Sequence, residues 1–352
     1  MSKSNAFFSK ILILWYIDHK RELPWRLTKD PYAIWLSEII LQQTKVAQGL
    51  PYYHAFISRF PSVNDLANAP EEKVLKLWQG LGYYSRARNL HVTAKYISKD
   101  LKGEFPTTYQ GLLQLKGVGD YTASAIASIC YNESTAVVDG NVYRVLSRYF
   151  GITTPINSTQ GIKEFKKLAQ KLIDSSQPGT YNQALMEFGA RHCTPKSPNC
   201  SSCIFNDKCM ALQKTTVAEL PVKLKKATIK KCYFNYFIIQ SEGEVIQLQQ
   251  RTEKGIWQQL YEFPLIETSK EIELDILQQL EEFKELSKKH SFSSIVLYNE
   301  KSIIHKLSHR HLHTRFWIIE TYNNDIKGIP IQSINKYPVP TLIEKFITSY
   351  FN

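Results

Sequence analysis

The 352-residue sequence contains no apolar run approaching the ~20 residues that a membrane span requires. Its first ten residues lack signal-peptide architecture: the apolar stretch at 11–15 is short, and no small-residue cleavage site follows. No internal repeat and no low-complexity tract interrupts it. Cysteine is scarce and unevenly spread. Four of the six fall within residues 193–209, while Cys130 and Cys232 stand alone. A secreted disulfide scaffold would spread more cysteines through a shorter chain, so the clustered thiols point to a metal or a cluster in a cytoplasmic protein. Acidic residues are also short, 32 against 44 lysines and arginines, which leaves a net charge of +12. Such a surface favours a polyanion, nucleic acid being the commonest, although surplus lysines also serve solubility alone.

What remains is enough chain for two domains, each with its own core. The first two-thirds reads helical. Residues 31–46 open with Asp30 as N-cap and Pro31 at the first helical position, then run through helix formers without glycine. Further helices are predicted at 71–78, 107–115 with a Thr107/Gln110 capping box, 120–131, 141–149, 161–174 and 181–190. Residues 213–230 are polar and basic and contain Pro221, which suits an inter-domain linker near phosphates. Beyond it, 233–240 and 245–251 flank a Glu242-Gly243 hairpin signal. Residues 303–313 and 316–321 read as strands, with helices near 270–286 and 341–350.

Five groups of residues carry chemistry. Leu115-Lys116-Gly117-Val118-Gly119 lies between two helices, where paired glycines can bring backbone N–H groups to a helix N-terminus and hold an anion; a merely structural turn has the same look. Glu38 lies among Ile34, Trp35, Ile39 and Leu41, so a fold that buries it would raise its pKa and keep a proton available near neutrality. A solvent-facing Glu is the commoner case for an arbitrary position. Asp139, in Val138-Asp139-Gly140-Asn141-Val142, is a second carboxylate, or simply a turn residue that begins a helix. Gly80-Leu81-Gly82-Tyr83-Tyr84-Ser85-Arg86-Ala87-Arg88 joins flexible backbone, aromatics and arginines that could enter a base stack and meet phosphates, or could be a helix cap with packed tyrosines. Cys193, Cys200, Cys203 and Cys209 suit tetrahedral zinc or a [4Fe–4S] cluster, and local chemistry does not separate the two.

Together these motifs resemble the helix-hairpin-helix glycosylase superfamily, and Trp35-Leu36-Ser37-Glu38 followed by Gln42-Gln43-Thr44 closely resembles the signature of its MutY-type adenine glycosylase family. The resemblance implies a mostly helical glycosylase domain over 1–212, with its hairpin at 107–131 and an iron–sulfur subdomain at 193–209. A linker at 213–230 and an α+β Nudix-like domain over 231–352 follow. It implies Glu38 as the catalytic acid, and Asp139 as the anion that stabilises the sugar cation with Asn141. It also implies a [4Fe–4S] cluster on the four cysteines, a phosphate grip by Gly117, Val118 and Gly119, and Gln43, Thr44, Tyr83, Arg86 and Arg88 on the DNA. Where the related endonuclease III carries a Schiff-base lysine, this chain has Tyr121, which cannot form an imine and would support the site by hydrogen bonding. The activity implied is monofunctional: hydrolysis of adenine mispaired with 8-oxoguanine or guanine in double-stranded DNA, leaving an abasic site, by a nucleoid-associated monomer with no membrane partner.

The second half lacks the acidic Nudix box, so no metal-dependent pyrophosphatase activity is expected. Leu307-Ser308-His309 matches the family's Phe-Ser-His loop at the 8-oxoguanine, with Leu for Phe. His309, His311 and His313 would share one face of a strand, which permits zinc but lacks an accompanying carboxylate or cysteine. Gln258 and Gln259 follow Trp257 where many relatives carry two glycines.

Overall fold

The computed structural model describes residues 3–225, 229–241, 245–321 and 326–351. In chain order the helices of the first part are α1 (Lys3–His19), α2 (Pro31–Leu41), α3 (Val46–Arg59), α4 (Val63–Asn68), α5 (Glu71–Leu77), α6 (Ser85–Lys99), α7 (Tyr109–Leu112), α8 (Asp120–Tyr131), α9 (Gly140–Phe150), α10 (Thr159–Leu172), α11 (Pro178–Arg191) and α12 (Met210–Gln213). They are followed by β1 (Lys230–Ser241), β2 (Val245–Ile246), β3 (Gln249–Gln250), β4 (Tyr261–Glu262), β5 (Leu265–Thr268), α13 (Leu274–Leu277), α14 (Glu281–His290), β6 (Phe292–Leu297), β7 (Ile303–Lys306), β8 (Arg310–Thr321), β9 (Ile329–Pro330) and α15 (Thr341–Phe351).

Two compact units result. One comprises Met1–Asn68 and Asn89–Lys225, the other Ala69–Arg88 and Lys226–Asn352. The segment 69–88 therefore packs with the C-terminal part of the chain.

The first unit is all-helical. Asp30 caps α2 by accepting from the N–H groups of Tyr32 (3.1 Å) and Ala33 (3.3 Å), with Pro31 at N1. The helix stops at Leu41, short of the expected 46, because Gln43 takes a left-handed φ of 56°. Thr108 rather than Thr107 caps α7, accepting from Gly111 N at 3.2 Å. One core gathers α1, α9, α10 and α11 around Phe8, Leu12, Val145, Phe165, Tyr181 and Phe188, with Phe205 of the cysteine loop stacked on Phe8 at 4.8 Å. Part of the expected linker belongs to this unit. Leu220 is buried and its carbonyl accepts from Arg148 Nε (3.1 Å), and Val222 O accepts from Ile156 N (3.0 Å).

The second unit is built on a mixed sheet in the order β6-β8-β1-β2-β9, with β5 also pairing β1 and β7 also pairing β8. Its long central pair, β1 and β8, is parallel from Lys230↔Arg310 to Gln240↔Glu320. Both faces of β1 are covered, which is why residues 234–239 are buried without alternation. Phe237, Ile239, Trp317 and Ile319 meet Phe283 of α14, while Phe316 stacks on Phe346 of α15 at 4.2 Å. β1 and β2 pair antiparallel, and the predicted Glu242-Gly243 turn lies outside the described residues. The expected strand 303–313 is two strands, β7 and β8, joined at Leu307-Ser308-His309; Leu307 N closes the turn on Arg310 O at 2.8 Å. His309 thus sits in the turn, apart from the face shared by His311 and His313. No helix among the described residues is long and apolar enough to cross a membrane.

Candidate active site and DNA-facing clefts

Glu38 is on the buried α2, 7% exposed in an apolar surround. Burial pushes its carboxyl up to about 7 and neighbouring Asp139 adds to the rise, while a hydrogen bond from Tyr121 and the Arg26 charge oppose it. Tyr121, on the first turn of α8, is held well above its ordinary pKa by burial and by the same two carboxylates, so it remains a hydroxyl donor. Its oxygen also lies 3.4 Å from Met186 Sδ.

Asp139 is the N-cap of α9. One carboxylate oxygen accepts from Val142 N and the other from Asn141 Nδ2, both at 2.7 Å. Burial raises its pKa, but those donors and the Arg144 charge pull towards the anion. The two carboxylates therefore have different surroundings: Glu38 is wrapped in apolar groups and Asp139 in donors. That split suits one proton donor and one anion.

Arg144 and Arg148, one and two turns along α9, tie this site to the cysteine loop. Arg144, 8% exposed, donates to Asn141 Oδ1 (2.9 Å), Gly189 O (2.6 Å) and Cys193 O (2.7 Å). α11 can pass so close because a Cβ on Gly189 would lie 2.6 Å from that of Asn141. Arg148 donates to Thr194 O (2.7 Å) and reaches Cys193 Sγ (3.4 Å). A second arginine pair, Arg21 and Arg26, clasps the buried Glu187 at 2.6 and 2.8 Å; although burial alone would raise its pKa, the guanidinium hydrogen bonds hold Glu187 near 2. Neither arginine pair was singled out from the sequence. Arg144 and Arg148 were recognisable as polar residues on the apolar face of α9, whereas Arg21 and Glu187 lie too far apart in the chain to be paired by pattern.

Cys193, Cys200, Cys203 and Cys209 line one cavity with Arg148, His192 and Leu212, and none is in a disulfide. Among the described residues no three His, Cys, Asp or Glu side chains converge as a site for a single ion. The donor set nevertheless fits a thiolate-held group: the Arg148 guanidinium and the Phe205 N–H (3.4 Å from Cys203 Sγ) point at sulfur, as a negatively charged cluster requires.

In the hairpin, Gly117 has φ +79° and Val118 N bonds Leu115 O at 3.1 Å. Gly119 caps α8 with open space before it. Gln43 is exposed on its left-handed backbone beside half-buried Thr44. In the other unit, Tyr83, Arg88, Trp257, Leu307, Ser308 and His309 line a cleft of about 440 Å³. The Tyr83 and Ser308 hydroxyls are hydrogen-bonded across it. Arg86 does not stand out from the surface: its guanidinium lies over Trp78 (5.1 Å) and Tyr83 (5.6 Å), and burial pushes its pKa down to about 10.

Helical hairpin, paired carboxylates and thiol loop define a base-excision DNA glycosylase. A family model described as "HhH-GPD superfamily base excision DNA repair protein" matches residues 36–174, and a NUDIX domain model matches 235–349. An adenine DNA glycosylase of Buchnera aphidicola subsp. Baizongia pistaciae is 36% identical over 98% of this chain and 97% of its own length. One from Homo sapiens is 45% identical over 60% of this chain and 41% of its own. A thermostable thymine-DNA glycosylase structure is 30% identical, with a TM-score of 0.56 over 60% of this chain and 98% of that one. An endonuclease III structure at 22% identity and TM-score 0.53, covering 61% of this chain and 99% of that one, shares the fold. The chain belongs to the adenine DNA glycosylase family, and it hydrolyses the N-glycosidic bond of adenine in DNA as a step of base-excision repair.

Proposed function

We propose that the substrate is adenine opposite 8-oxoguanine, or guanine, in double-stranded DNA, and that the product is an abasic site with the strand left intact. The observation that carries the chemistry is the buried, proton-holding Glu38 beside the hydrogen-bonded Asp139. Adenine is turned out of the duplex into the pocket. Glu38, which keeps a proton on a large fraction of molecules near neutrality because burial raises its pKa, gives that proton to a ring nitrogen of the leaving base as the C1′–N9 bond breaks. Tyr121 steadies the Glu38 carboxylate by its hydrogen bond. Asp139, oriented by Asn141 and Val142 N, faces the sugar cation with a negative charge until water adds to C1′ and loses a proton. Tyr121 offers no amine, so no imine with the abasic sugar forms through that position and strand cleavage requires added alkali.

The four cysteines would hold a [4Fe–4S] cluster, which when bound supplies a rigid cross-link for the loop that Arg144 and Arg148 grip. Iron analysis of anaerobically prepared protein checks it: about four irons per chain are expected, and one zinc without iron would refute it. The Tyr83–Ser308 cleft supports recognition of the opposite base. Single-turnover excision from duplexes with 8-oxoguanine or guanine opposite adenine tests the whole reading. A faster rate opposite 8-oxoguanine is expected, and equal rates would refute that preference.

A further inference from the structure

Four non-glycine residues of the second unit have left-handed backbones, and two of them, Trp257 (φ 60°) and Gln259 (φ 67°), flank Gln258. For residues with side chains this conformation is costly and persists only where the surroundings impose it. Here they do. Trp257 is buried, edge-on to His305 at 5.7 Å; Gln259 N donates to Arg251 O at 2.6 Å, and Leu260 N donates to Trp257 O at 3.0 Å. The carbonyl between them, that of Gln258, accepts from Arg88 Nη1 at 2.7 Å. Arg88 is the last residue of the segment that also carries Tyr83.

The same segment is fastened at its other end. Gln79 donates to Glu344 Oε1 (2.7 Å) and accepts from Val339 N (3.2 Å), Lys76 donates to Tyr337 O (3.1 Å), and Tyr84 reaches Val339 O (3.4 Å). Between these fastenings the chain turns through Gly80 (φ 93°), Gly82 (φ 72°) and Tyr83 itself (φ 49°), leaving the Tyr83 ring half exposed. The cleft is thus lined by the turn at 82–85, the turn at 306–310 and the stretch 255–257, which ends on the left-handed Trp257.

We propose that Arg88 is a positioning residue for reading the base opposite adenine: through the Gln258 carbonyl it sets the distance between Tyr83 and Ser308, and so the fit of an 8-oxidised purine in the cleft. This rests on the reading of that cleft given under Proposed function. It assigns Arg88 a role inside the protein in place of the phosphate contact expected from sequence, and gives the left-handed Trp257-Gln258-Gln259 turn a purpose: it presents a carbonyl.

The test uses the full chain and single-turnover excision opposite 8-oxoguanine and opposite guanine. In Arg88→Ala the first rate should fall about tenfold more than the second, the scale of losing a hydrogen bond from a charged donor. Arg88→Lys, which keeps one donor, should recover part of the ratio. Gln259→Val, disfavoured at positive φ, should lower the ratio with Arg88 intact, while Gln259→Gly should preserve it. An 8-oxoguanine preference unchanged in Arg88→Ala overturns the proposal. So do equal losses on both substrates with a salt dependence of DNA binding reduced by about one charge, which is the signature of a phosphate contact. A wild-type protein with no preference at all would instead remove the reading of the cleft on which the proposal rests.

Discussion

A carboxyl group that holds its proton at neutral pH leaves a mark on stability as well as on rate. The folded-state pKa of Glu38, about 7, lies above its ordinary 4.5. The folded protein therefore binds that proton more tightly than the unfolded chain does. The stabilisation is complete below about 4.5 and is lost as pH rises through about 7. Glu38→Gln carries no proton to lose, so its stability relative to wild type should rise between pH 5 and pH 8, by on the order of 3 kcal/mol. Denaturant unfolding at both pH values measures this, and a difference independent of pH would contradict it. Glu38, Asp139 and the four cysteines were legible in the sequence because each sits in a short, dense motif. Tyr121, more than 80 residues from Glu38, was named only through the resemblance, and Arg144 was not named at all: it acts on Asn141 through a helical turn while bonding carbonyls of Gly189 and Cys193.

Among the elements, α9 is a strut with the Asp139 cap at one end and the cysteine loop beside the other. Replacing Arg144 with Met would leave the Gly189 and Cys193 carbonyls without their donor. A loss of about 2–4 kcal/mol in unfolding free energy is expected, together with slower excision. Retention of both would show that the strut is dispensable. The hairpin makes a separate prediction. At Gly117 a Cβ would sit 2.7 Å from Asn89 Cβ on a backbone at φ +79°. Gly117→Ala should therefore lower the melting temperature and weaken binding to undamaged duplex about tenfold in a filter or anisotropy assay. Unchanged binding would remove the turn from the phosphate contact. The break at Leu307-Ser308-His309 was legible only through the resemblance to a family loop: it contains neither Gly nor Pro, and His305, Leu307, His309, His311 and His313 recur at every second position as they would in one continuous strand.

On the scale of the molecule, the two-part plan was readable from the change of pattern after Cys209. The membership of 69–88 in the second unit was not, because side chains such as Gln79 and Arg88 find partners 170 or more residues away. Deleting 231–352 removes those partners along with Ser308. The truncated chain should retain slow adenine release from the helical unit, with its preference for 8-oxoguanine over guanine largely gone. An unchanged ratio would place that preference elsewhere. The account as a whole stands on acid catalysis by one buried carboxyl. Its most direct measurement is the single-turnover rate of adenine release from an adenine–8-oxoguanine duplex between pH 5.5 and 8.5, for wild type and Glu38→Gln. The wild-type rate should decline on the alkaline side with a midpoint near 7, and the variant should bind the duplex yet release adenine at least about 10²-fold more slowly throughout. A variant that releases adenine at close to the wild-type rate would contradict it.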